Sequence, residues 1–396
     1  MRRVALTGKP AFLLFEACDF LSFPPGGQLT MARHIMAAFP GEVGLVGIAT
    51  EDSAQVGEWH TRSIANVEYP YFAIRRRDPN PARPLIPARL ATYLALTRHR
   101  KAILSLGVRH AFCQGHETLL AIAGWPWKSL CYDFPGVANP LAISRYPWAR
   151  PLGALFDRFF FRALCRASVV LATADRTAIL DMCQRSGGGL SPEQVHVWPT
   201  RVDTSIFRPA VNTGVRESLG VDPNAVLIVT TGRLNWIKGW PLLLEVLAES
   251  DARWQLIFVG DGEDREALVA MTREKGISDR VTVTGFQPPS RVAEYIQAAD
   301  VFALASHQEG FSTSMLEALA CGKPIVSTAV SSADTIVEEG VNGFVVRNRN
   351  CADFHDGLCR ALALQKEQVL QFNLQRITAY AVNTIREDLR SAWPFA

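Results

Sequence analysis

The chain has 396 residues, of which 48% are hydrophobic and 20% are charged, and its formal net charge is +3. This length and composition predict a globular protein of two domains, or three. The near-neutral charge gives no overall signal for nucleic-acid binding. No apolar run reaches the roughly 18 residues that a membrane-spanning helix needs.

The eight cysteines form no C-x-x-C pair, and several lie within apolar patterns. Buried, reduced thiols are therefore expected, which is typical of a reducing compartment such as the cytoplasm. The apolar stretch 11–23 is interrupted by Glu16 and Asp19, and this argues against a signal peptide.

Strand and helix patterns alternate along the first half of the chain. Strands are predicted at 11–16, 42–49, 110–115, 128–134 and 167–173. Helices are predicted near 28–38, 87–105, 153–165 and 175–185. Because strands that alternate with helices pair in parallel, this order predicts a doubly wound α/β sheet.

One cationic stretch, which we call the basic segment, runs from residue 75 to residue 104. Its eight cations are Arg75, Arg76, Arg77, Arg83, Arg89, Arg98, Arg100 and Lys101. Apolar residues such as Leu90 and Leu94 are interleaved with them. Two interpretations stay open, namely a basic amphipathic surface that meets anionic lipid and a lipid-linked acceptor, or a solvated helix face.

The first half ends in residues 195–209, a short strand pattern followed by an extended segment that ends in proline. A second alternating run follows, and the last stretch of the chain has a helical pattern. The predicted divisions are an N-terminal domain over 1–205, a C-terminal domain over 206–370 and a final helix over 371–396.

Two cations flank the end of the first strand pattern of the second run, 225–234. The strand ends in Gly232 and Arg233, and Lys238 precedes an apolar helix pattern. Arg presents a planar fork that grips phosphate oxygens, and Lys acts as a compact point charge. The pair suits a phosphate group, although two solvated surface cations would give the same pattern.

Two further strand ends of the second run carry glycine. A strand pattern from residue 254 leads into a glycine turn at 260–262, and another from residue 281 ends in Gly285 and Phe286. Glycine is common where a strand turns into a helix, so the order and spacing of the motifs indicate more than any one of them.

The loop after the strand pattern 301–306 is the most informative part of the chain. Glu309 and Gly310 lie in the loop, and Glu317 lies just inside the next helix. A helix start offers free N–H groups to a diphosphate, whereas ionised carboxylates suit sugar hydroxyls. This pattern predicts a sugar-nucleotide site. Ser314 and Glu317 also fit a capping box, in which Glu317 would only close the helix start.

Together these motifs resemble the E-x7-E signature of the retaining family-4 glycosyltransferases, which have the GT-B fold. The resemblance rests on residues 309–326, on residues 232–239 and on the hinge-like segment 195–209. It implies two Rossmann-like, doubly wound domains that face a cleft. The acceptor would be bound by the first domain and the sugar nucleotide by the second.

The resemblance also implies roles for single residues of the second domain. Arg233 and Lys238 would neutralise the leaving diphosphate, Glu309 would contact the donor sugar and Glu317 would contact the ribose. The other implied donor contacts, of which the first two would lie near the nucleobase, are Gly285, Phe286, Gly310, Phe311, Ser312 and Thr313.

In the first domain the resemblance is weaker. Gly26 and Gly27 resemble the family's Gly-Gly loop near the donor phosphates, and His116 resembles a catalytic histidine at a strand end. Both can instead be structural, as an ordinary turn and a buried histidine. Tyr132 stands where many relatives carry a histidine that approaches the transferred sugar. With an ordinary pKa of about 10, it either keeps a sugar contact or marks lost activity.

The function implied is transfer of a sugar from a UDP- or GDP-sugar, with retention, to a glycan, lipid-linked or other hydroxyl acceptor in cell-surface polysaccharide or glycoconjugate synthesis. No D-x-D triplet occurs, so no metal and no cofactor are expected, because the cations and N–H groups stabilise the leaving diphosphate. The expected partners are donor and acceptor without nucleic acid. The expected location is the cytoplasm, and contact with the inner face of the plasma membrane stays open.

Two rival functions remain. A catalytically weak sugar-nucleotide-binding partner would bind donor without forming product, and a phosphorylase-like enzyme would use a pyridoxal-phosphate lysine. A nicotinamide dehydrogenase is disfavoured because no G-x-G-x-x-G follows the first strand, and Gly322-Lys323 lacks the other residues of a P-loop.

Overall fold

The computed structural model describes residues 9–24, 27–51, 55–77, 87–134, 151–172, 176–210, 214–330 and 332–395. The chain divides into two compact units. The first comprises Met1–Pro199 and Asn383–Ala396, and the second comprises Thr200–Val382. The division after Pro199 falls inside the segment that was singled out as hinge-like.

The first unit is built on an eight-stranded sheet. Its strands are β1 (Phe12–Phe15), β2 (Val43–Ala49), β3 (Trp59–Ile64), β4 (Val67–Arg76), β5 (His110–Gln114), β6 (Ser129–Phe134), β7 (Val169–Ala172) and β8 (Val195–Val197). They lie in the order β3-β4-β2-β1-β5-β6-β7-β8. The helices before the division are α1 (Gly27–Ala38), α2 (Ala88–Leu104), α3 (His116–Ile122), α4 (Gly153–Leu164) and α5 (Arg176–Arg185).

The β3–β4 hairpin is the part of this sheet that the sequence analysis missed. It is antiparallel, and its turn places Ala65 and Asn66 at positive φ angles of 50° and 64°. Pro70 interrupts the apolar pattern of β4, and Ala65-Asn66 is not the usual Asn-Gly turn. The remaining strand pairs of the sheet are parallel, as predicted.

The second unit is built on a six-stranded parallel sheet in the order β11-β10-β9-β12-β13-β14. Its strands are β9 (Val226–Thr231), β10 (Trp254–Val259), β11 (Val281–Val283), β12 (Val301–Leu304), β13 (Ile325–Thr328) and β14 (Gly343–Val346). Its helices are α6 (Val215–Ser218), α7 (Trp240–Glu249), α8 (Arg265–Glu274), α9 (Pro289–Ala298), α10 (Thr313–Ala320), α11 (Ala333–Ile336), α12 (Cys351–Leu362) and α13 (Lys366–Ile377).

Both faces of the second sheet are buried. Leu227 and Val229 of β9 join the core on one face, and Ile228 joins the core on the other. A parallel strand covered on both sides needs no polar face, which explains why these strands form continuous apolar runs in the sequence.

The end of the chain completes the core of the first unit. Helix α14 (Ile385–Ala392) leads to Trp393, which is 1% exposed. The Trp393 ring centroid lies 5.4 Å from that of Phe12, and its Nε1 donates to Ser129 Oγ at 2.9 Å. Arg390 Nη2 adds an ion pair with Glu42 Oε2 at 3.2 Å.

In each sheet the strand order reverses at one point, and this sets where ligands can bind. Strand β1 lies between β2 and β5, and strand β9 lies between β10 and β12. The connections that follow β1 and β5 run to opposite sides of the first sheet, and those that follow β9 and β12 do the same in the second. A crevice therefore opens at the carboxyl ends of the strands, which is the usual ligand position in open α/β sheets.

Candidate functional site

The crevice of the second sheet contains a lysine–glutamate ion pair. Lys238 Nζ lies 2.7 Å from Glu309 Oε1, and Ser306 Oγ donates to the same oxygen at 2.6 Å. Lys238 belongs to the loop after β9 and Glu309 to the loop after β12, so the pair joins the two sides of the strand-order reversal. The structure thus brings two of the predicted site residues together.

Glycines allow these loops to approach each other. Gly239 has a φ of 66°, and a Cβ there would lie 1.8 Å from the carbonyl oxygen of Ala305. Gly260 follows β10, and a Cβ there would lie 1.9 Å from the carbonyl oxygen of Gly232. Any side chain would push the loops apart, so the glycine motifs read from the sequence have a packing cause.

Arg233 occupies the same loop as Lys238, and both side chains line one small cavity at the end of β9. Its Nε lies 3.0 Å from Glu263 Oε2, and the two side chains are 66% and 54% exposed. Each of the two predicted phosphate-binding cations is therefore paired with a carboxylate. An anionic ligand would compete with those carboxylates for the cations.

Helix α10 begins with a cap that excludes one interpretation of Glu317. Ser312 is the N-cap, and its Oγ accepts from the Met315 N–H at 3.4 Å. The capping box of Ser314 and Glu317 is wrong, because the helix starts two residues earlier and Glu317 lies in its second turn. At that position the backbone N–H groups are already used within the helix.

The Glu317 carboxyl makes no hydrogen bond to any residue that the structure describes. Burial raises its pKa to about 8, and the charge of Lys238 opposes that rise. A carboxyl held near the ion pair without a partner of its own is available to accept hydrogen bonds from a ligand.

The other residues predicted to contact the sugar nucleotide differ in exposure and in packing. Phe286 is 84% exposed, beside Gly285 with its φ of 72°. Ser312 is buried as the helix cap, and its own N–H donates to Ser332 Oγ at 3.0 Å. Phe311 packs its ring 5.7 Å from that of Tyr380. Gly310 and Thr313 flank this segment on the loop and on the first turn of α10.

Two side chains of this site were not predicted. Ser306 is 1% exposed and holds Glu309, and its signal in the sequence was only a polar residue at the end of an apolar strand. Trp236 is 64% exposed, and its ring lies 5.3 Å from that of His307. An exposed aromatic ring beside a polar crevice is a surface on which a planar base can stack.

A second polar group lies at the strand-order reversal of the first sheet. We call Glu16, Gln114 and Asp133 the strand-end row, because they stand at the ends of β1, β5 and β6. Gln114 pairs with Asp133 in the sheet register, and its Nε2 donates to Asp133 Oδ2 at 2.8 Å. The three residues are 7%, 1% and 7% exposed.

Burial perturbs both carboxyls of the strand-end row. It raises the pKa of Glu16 to about 8, with further contributions from the charges of Glu117 and Asp133. It raises the pKa of Asp133 to about 6, and the hydrogen bond from Gln114 opposes that rise. In the sequence, Glu16 is notable only as a break in the apolar stretch 11–23, and Asp133 is one letter of a strand pattern, because a single acidic residue at a strand end carries no distance information.

His116 and Tyr132 lie within the apolar core of the first unit. The His116 ring is 5% exposed, with its centroid 4.8 Å from that of Phe160, and burial lowers its pKa to about 4. Tyr132 is 0% exposed, and its hydroxyl has no partner among the described residues. Gly27 is the first residue of α1, and Gly26 lies outside the described residues.

The described residues contain neither a metal-binding cluster nor a membrane-spanning helix. Within the described ranges, no group of three or more His, Cys, Asp or Glu side chains is arranged to hold a metal ion. In the same ranges, no helix has both the length and the apolar character to cross a membrane.

The chain is similar to known proteins along most of its length. Residues 212–373 match the family described as "Glycosyl transferases group 1". A D-inositol 3-phosphate glycosyltransferase of Frankia alni is 34% identical over 316 residues, which are 74% of each chain. For five other relatives of the same description, the match spans 36% to 47% of their length.

Solved structures share the fold over nearly the whole chain. Sucrose-phosphate synthase from Thermosynechococcus elongatus has a TM-score of 0.75 at 17% identity. The match covers 96% of this chain and 97% of the synthase chain. Anabaena HepE, solved in complex with UDP, has a TM-score of 0.70 at 19% identity, with 96% and 98% covered. The predicted fold class is thereby confirmed.

The pKa of Glu16 predicts how stability depends on pH. Its folded value of about 8 exceeds its ordinary value of 4.5, so its contribution is full at acid pH and is lost as pH rises through 8. The free energy of unfolding should fall by up to about 1.4 kcal/mol per pH unit for each such group. Glu16→Gln, which stays neutral, should flatten this fall in melting experiments.

Glu317 and Asp133 act in the same direction, so part of the pH dependence should remain in Glu16→Gln. Glu51→Gln is the matched control, because it removes one carboxylate that is 63% exposed. It should keep the wild-type pH dependence. An equal slope in wild type and Glu16→Gln would contradict the assignment.

Proposed function

This chain belongs to the group 1 glycosyltransferases, the family-4 enzymes of GT-B fold, and we propose that it transfers a sugar from a nucleoside diphosphate to a hydroxyl acceptor. The observation that carries the proposal is the Lys238–Glu309 pair, held at the strand-order reversal of the second sheet. Beside it lie the Glu317 carboxyl and the start of α10.

Phosphate binding is the first step of the proposal. Lys238 and Arg233 are held by Glu309 and Glu263 in the free protein. A diphosphate carries more negative charge than a carboxylate and can replace it at both cations. The N–H groups of Phe311 and Thr313, at the start of α10, add donors for the same anion, while the Ser312 N–H already donates to Ser332 Oγ. Negative charge that develops on the leaving oxygen would then meet preorganised positive groups.

Sugar recognition follows from the carboxylate that the diphosphate releases. Once Lys238 turns to phosphate, the oxygen of Glu309 that it held can accept from hydroxyls of the donor sugar, while Ser306 keeps the carboxylate oriented. The same exchange couples donor binding to readiness for transfer, because Glu309 is occupied until the diphosphate arrives.

Ribose recognition is assigned to Glu317. Its carboxyl faces no protein donor among the described residues, and two ribose hydroxyls could supply donors. Because its pKa is about 8 in the free protein, ionisation accompanies strong hydroxyl binding, and affinity should rise with pH. The exposed rings of Phe286 and Trp236 are the surfaces proposed for the base.

The proteins to which the chain is similar indicate which donors and acceptors to test first. Anabaena HepE was solved with UDP, so a UDP-sugar is the first donor to test, with GDP-sugars second. D-inositol 3-phosphate, glycan and lipid-linked hydroxyls are the acceptors to test. We further propose retention, in which the acceptor hydroxyl attacks from the face that the diphosphate leaves and its proton passes to the leaving oxygen.

Two alternatives are separated by direct measurement. A non-catalytic binding partner would bind the donor and form no product with any acceptor of the panel. A phosphorylase-like enzyme would hold pyridoxal phosphate, which absorbs at wavelengths longer than protein does. Donor turnover by protein that lacks this absorption would support the transferase.

Arg233→Ala and Lys238→Ala should each slow transfer at saturating donor. Loss of one preorganised charge costs roughly 2.7–4 kcal/mol, or about 10²–10³ in rate. Arg253→Ala is the control, because Arg253 is 70% exposed and pairs with Asp251 in its own turn. Rates within about threefold of wild type for both site variants would contradict the phosphate role.

Glu317→Gln should lower donor affinity in a way that depends on pH. At about pH 8 and above, the variant lacks a charge-assisted bond of roughly 1.5–3 kcal/mol, so affinity falls about ten- to a hundredfold. At lower pH the wild-type carboxyl is neutral and the difference should shrink. Titration calorimetry at several pH values measures this, with Glu274→Gln on the exposed end of α8 as control. A deficit that is constant with pH would exclude the ribose assignment.

Transfer should persist in excess EDTA, because the cations and the helix N–H groups stabilise the leaving diphosphate. The measurement is product formation with and without EDTA, followed by addition of Mg²⁺ or Mn²⁺. Complete loss that either metal restores would overturn this part of the proposal.

We also propose peripheral contact with an anionic membrane, and a cytoplasmic location in which all eight cysteines remain free thiols. Helix α2 exposes Leu90 and Leu94 at 44% and 49%, and α4 exposes Leu155 and Phe159 at 52% and 54%. Four exposed cations of the basic segment lie on α2, namely Arg89, Arg98, Arg100 and Lys101. Apolar side chains among cations fit the surface of anionic lipid.

Co-sedimentation with phosphatidylserine vesicles tests the membrane contact. Wild type should bind them and release at high salt, and Leu94→Asp and Phe159→Asp should each bind several times less. Leu180→Asp is the control, because Leu180 is 52% exposed on α5. Equal binding to neutral vesicles, or unchanged binding by both variants, would rule out this contact.

A further inference from the structure

Three buried oxygens of the strand-end row have no hydrogen-bond partner among the residues that the structure describes. They are Glu16 Oε2, Gln114 Oε1 and Asp133 Oδ1. The three residues are more than nine-tenths buried and stand on the neighbouring strands β1, β5 and β6. A buried acceptor that lacks a donor is costly, and most such groups in folded proteins are paired.

Asp19, in the loop after β1, is a structural carboxylate of the same unit, and both of its oxygens accept hydrogen bonds. Its Oδ1 accepts from the N–H groups of Leu21, Ser22 and Phe23 at 2.8 Å each. Its Oδ2 accepts from Thr50 Oγ1 at 3.2 Å. Among the described residues, the Asp19 carboxylate thus receives four donors. The strand-end row receives two, the Ala17 N–H to Glu16 Oε1 at 2.9 Å and Gln114 Nε2 to Asp133 Oδ2 at 2.8 Å, and its other three oxygens receive none.

Protonation within the row cannot satisfy all three oxygens. Near neutral pH, Glu16 holds a proton and Asp133 is mostly ionised, because their pKa values are raised to about 8 and about 6. One proton satisfies the oxygen that carries it and at most one acceptor. Turning the Gln114 amide over would set its oxygen against Asp133 Oδ2, so at least one acceptor still lacks a donor.

The charge around the row selects the chemistry of its ligand. The Glu117 carboxyl lies close enough to raise the pKa of Glu16. The positive charge of Arg75 interacts with Glu117 and not measurably with the two carboxyls of the row. The row therefore combines acceptor oxygens with net negative charge, at the point of the sheet where ligands bind.

We propose that Glu16, Gln114 and Asp133 form a binding subsite for a ligand group that donates hydrogen bonds, a hydroxyl or an ammonium, and that the subsite rejects phosphate. Acceptor oxygens receive hydroxyl or ammonium hydrogens, whereas a phosphate offers only further negative oxygens. That this ligand is the sugar acceptor rests on the proposed function. The end of the acceptor that enters the row then carries no phosphate.

Three matched probes test the subsite on the full chain without donor. They are glucose, glucosamine and glucose 6-phosphate, with binding followed by saturation-transfer NMR and titration. We expect saturable binding of glucose or glucosamine and at least tenfold weaker binding of glucose 6-phosphate. The stronger of the first two identifies a hydroxyl or an ammonium as the preferred group.

Variants assign that binding to the row. Gln114→Met and Asp133→Asn should each weaken the stronger probe at least fivefold, and Glu51→Gln should not. Glu16→Gln separates a ligand site from a structural role, because an amide hydrogen can serve the oxygens that lack donors. Its melting temperature at neutral pH should be equal or higher, whereas a structural carboxyl would give a fall of several degrees.

The outcomes keep this inference distinct from the proposed function. UDP binding by the second unit is measured separately, and its loss would remove the proposed function while a positive probe result stands. The subsite is refuted if no probe binds, if glucose 6-phosphate binds as well as glucose, or if wild type and Gln114→Met bind alike. It is also refuted if Glu16→Gln melts several degrees lower.

Discussion

The Lys238–Glu309 ion pair, set where the strand order of the second sheet reverses, is the interaction on which the proposed donor site depends. It joins the loops that follow β9 and β12, which Gly239 allows to meet at backbone distance, and Gly260 does the same for the loops that follow β10 and β9. Desolvation offsets much of the Coulomb gain of a partly buried pair, so the pair adds little net stability. A ligand with more negative charge can therefore open it at small cost, which suits a site that must exchange partners.

The two units differ in how the polar groups at their strand ends are paired. In the second unit the cations are already paired with carboxylates, and binding is an exchange of anions. In the first unit, three oxygens of the strand-end row lack donors among the described residues, and the proposed ligand would supply hydrogens to them. Buried polar groups without hydrogen-bond partners destabilise a fold. Where such groups lie at a ligand position, they are typical of a site that serves function at a cost in stability.

Much of the second unit could be predicted from the sequence because its motifs are local. Glu309, Gly310 and Glu317 lie within one loop and helix, and a strand, loop and helix in order place such residues at one edge of a sheet. The Ser306 contact could not be predicted, because a short polar residue after a strand has many orientations. In the first unit, the β3–β4 hairpin was missed because Pro70 breaks its pattern, and the row was missed because its members are far apart in the chain.

The sequence by itself determined the alternation of strands and helices, the parallel sheets and the order of the donor-side motifs, since these depend on periodicity and on residues close in the chain. Only the tertiary structure decided that Ser312 and not Ser314 caps α10, that His116 and Tyr132 lie in an apolar core, and that Glu16, Gln114 and Asp133 stand side by side. These outcomes depend on strand register and on burial, which arise from packing between distant segments and leave no local signature.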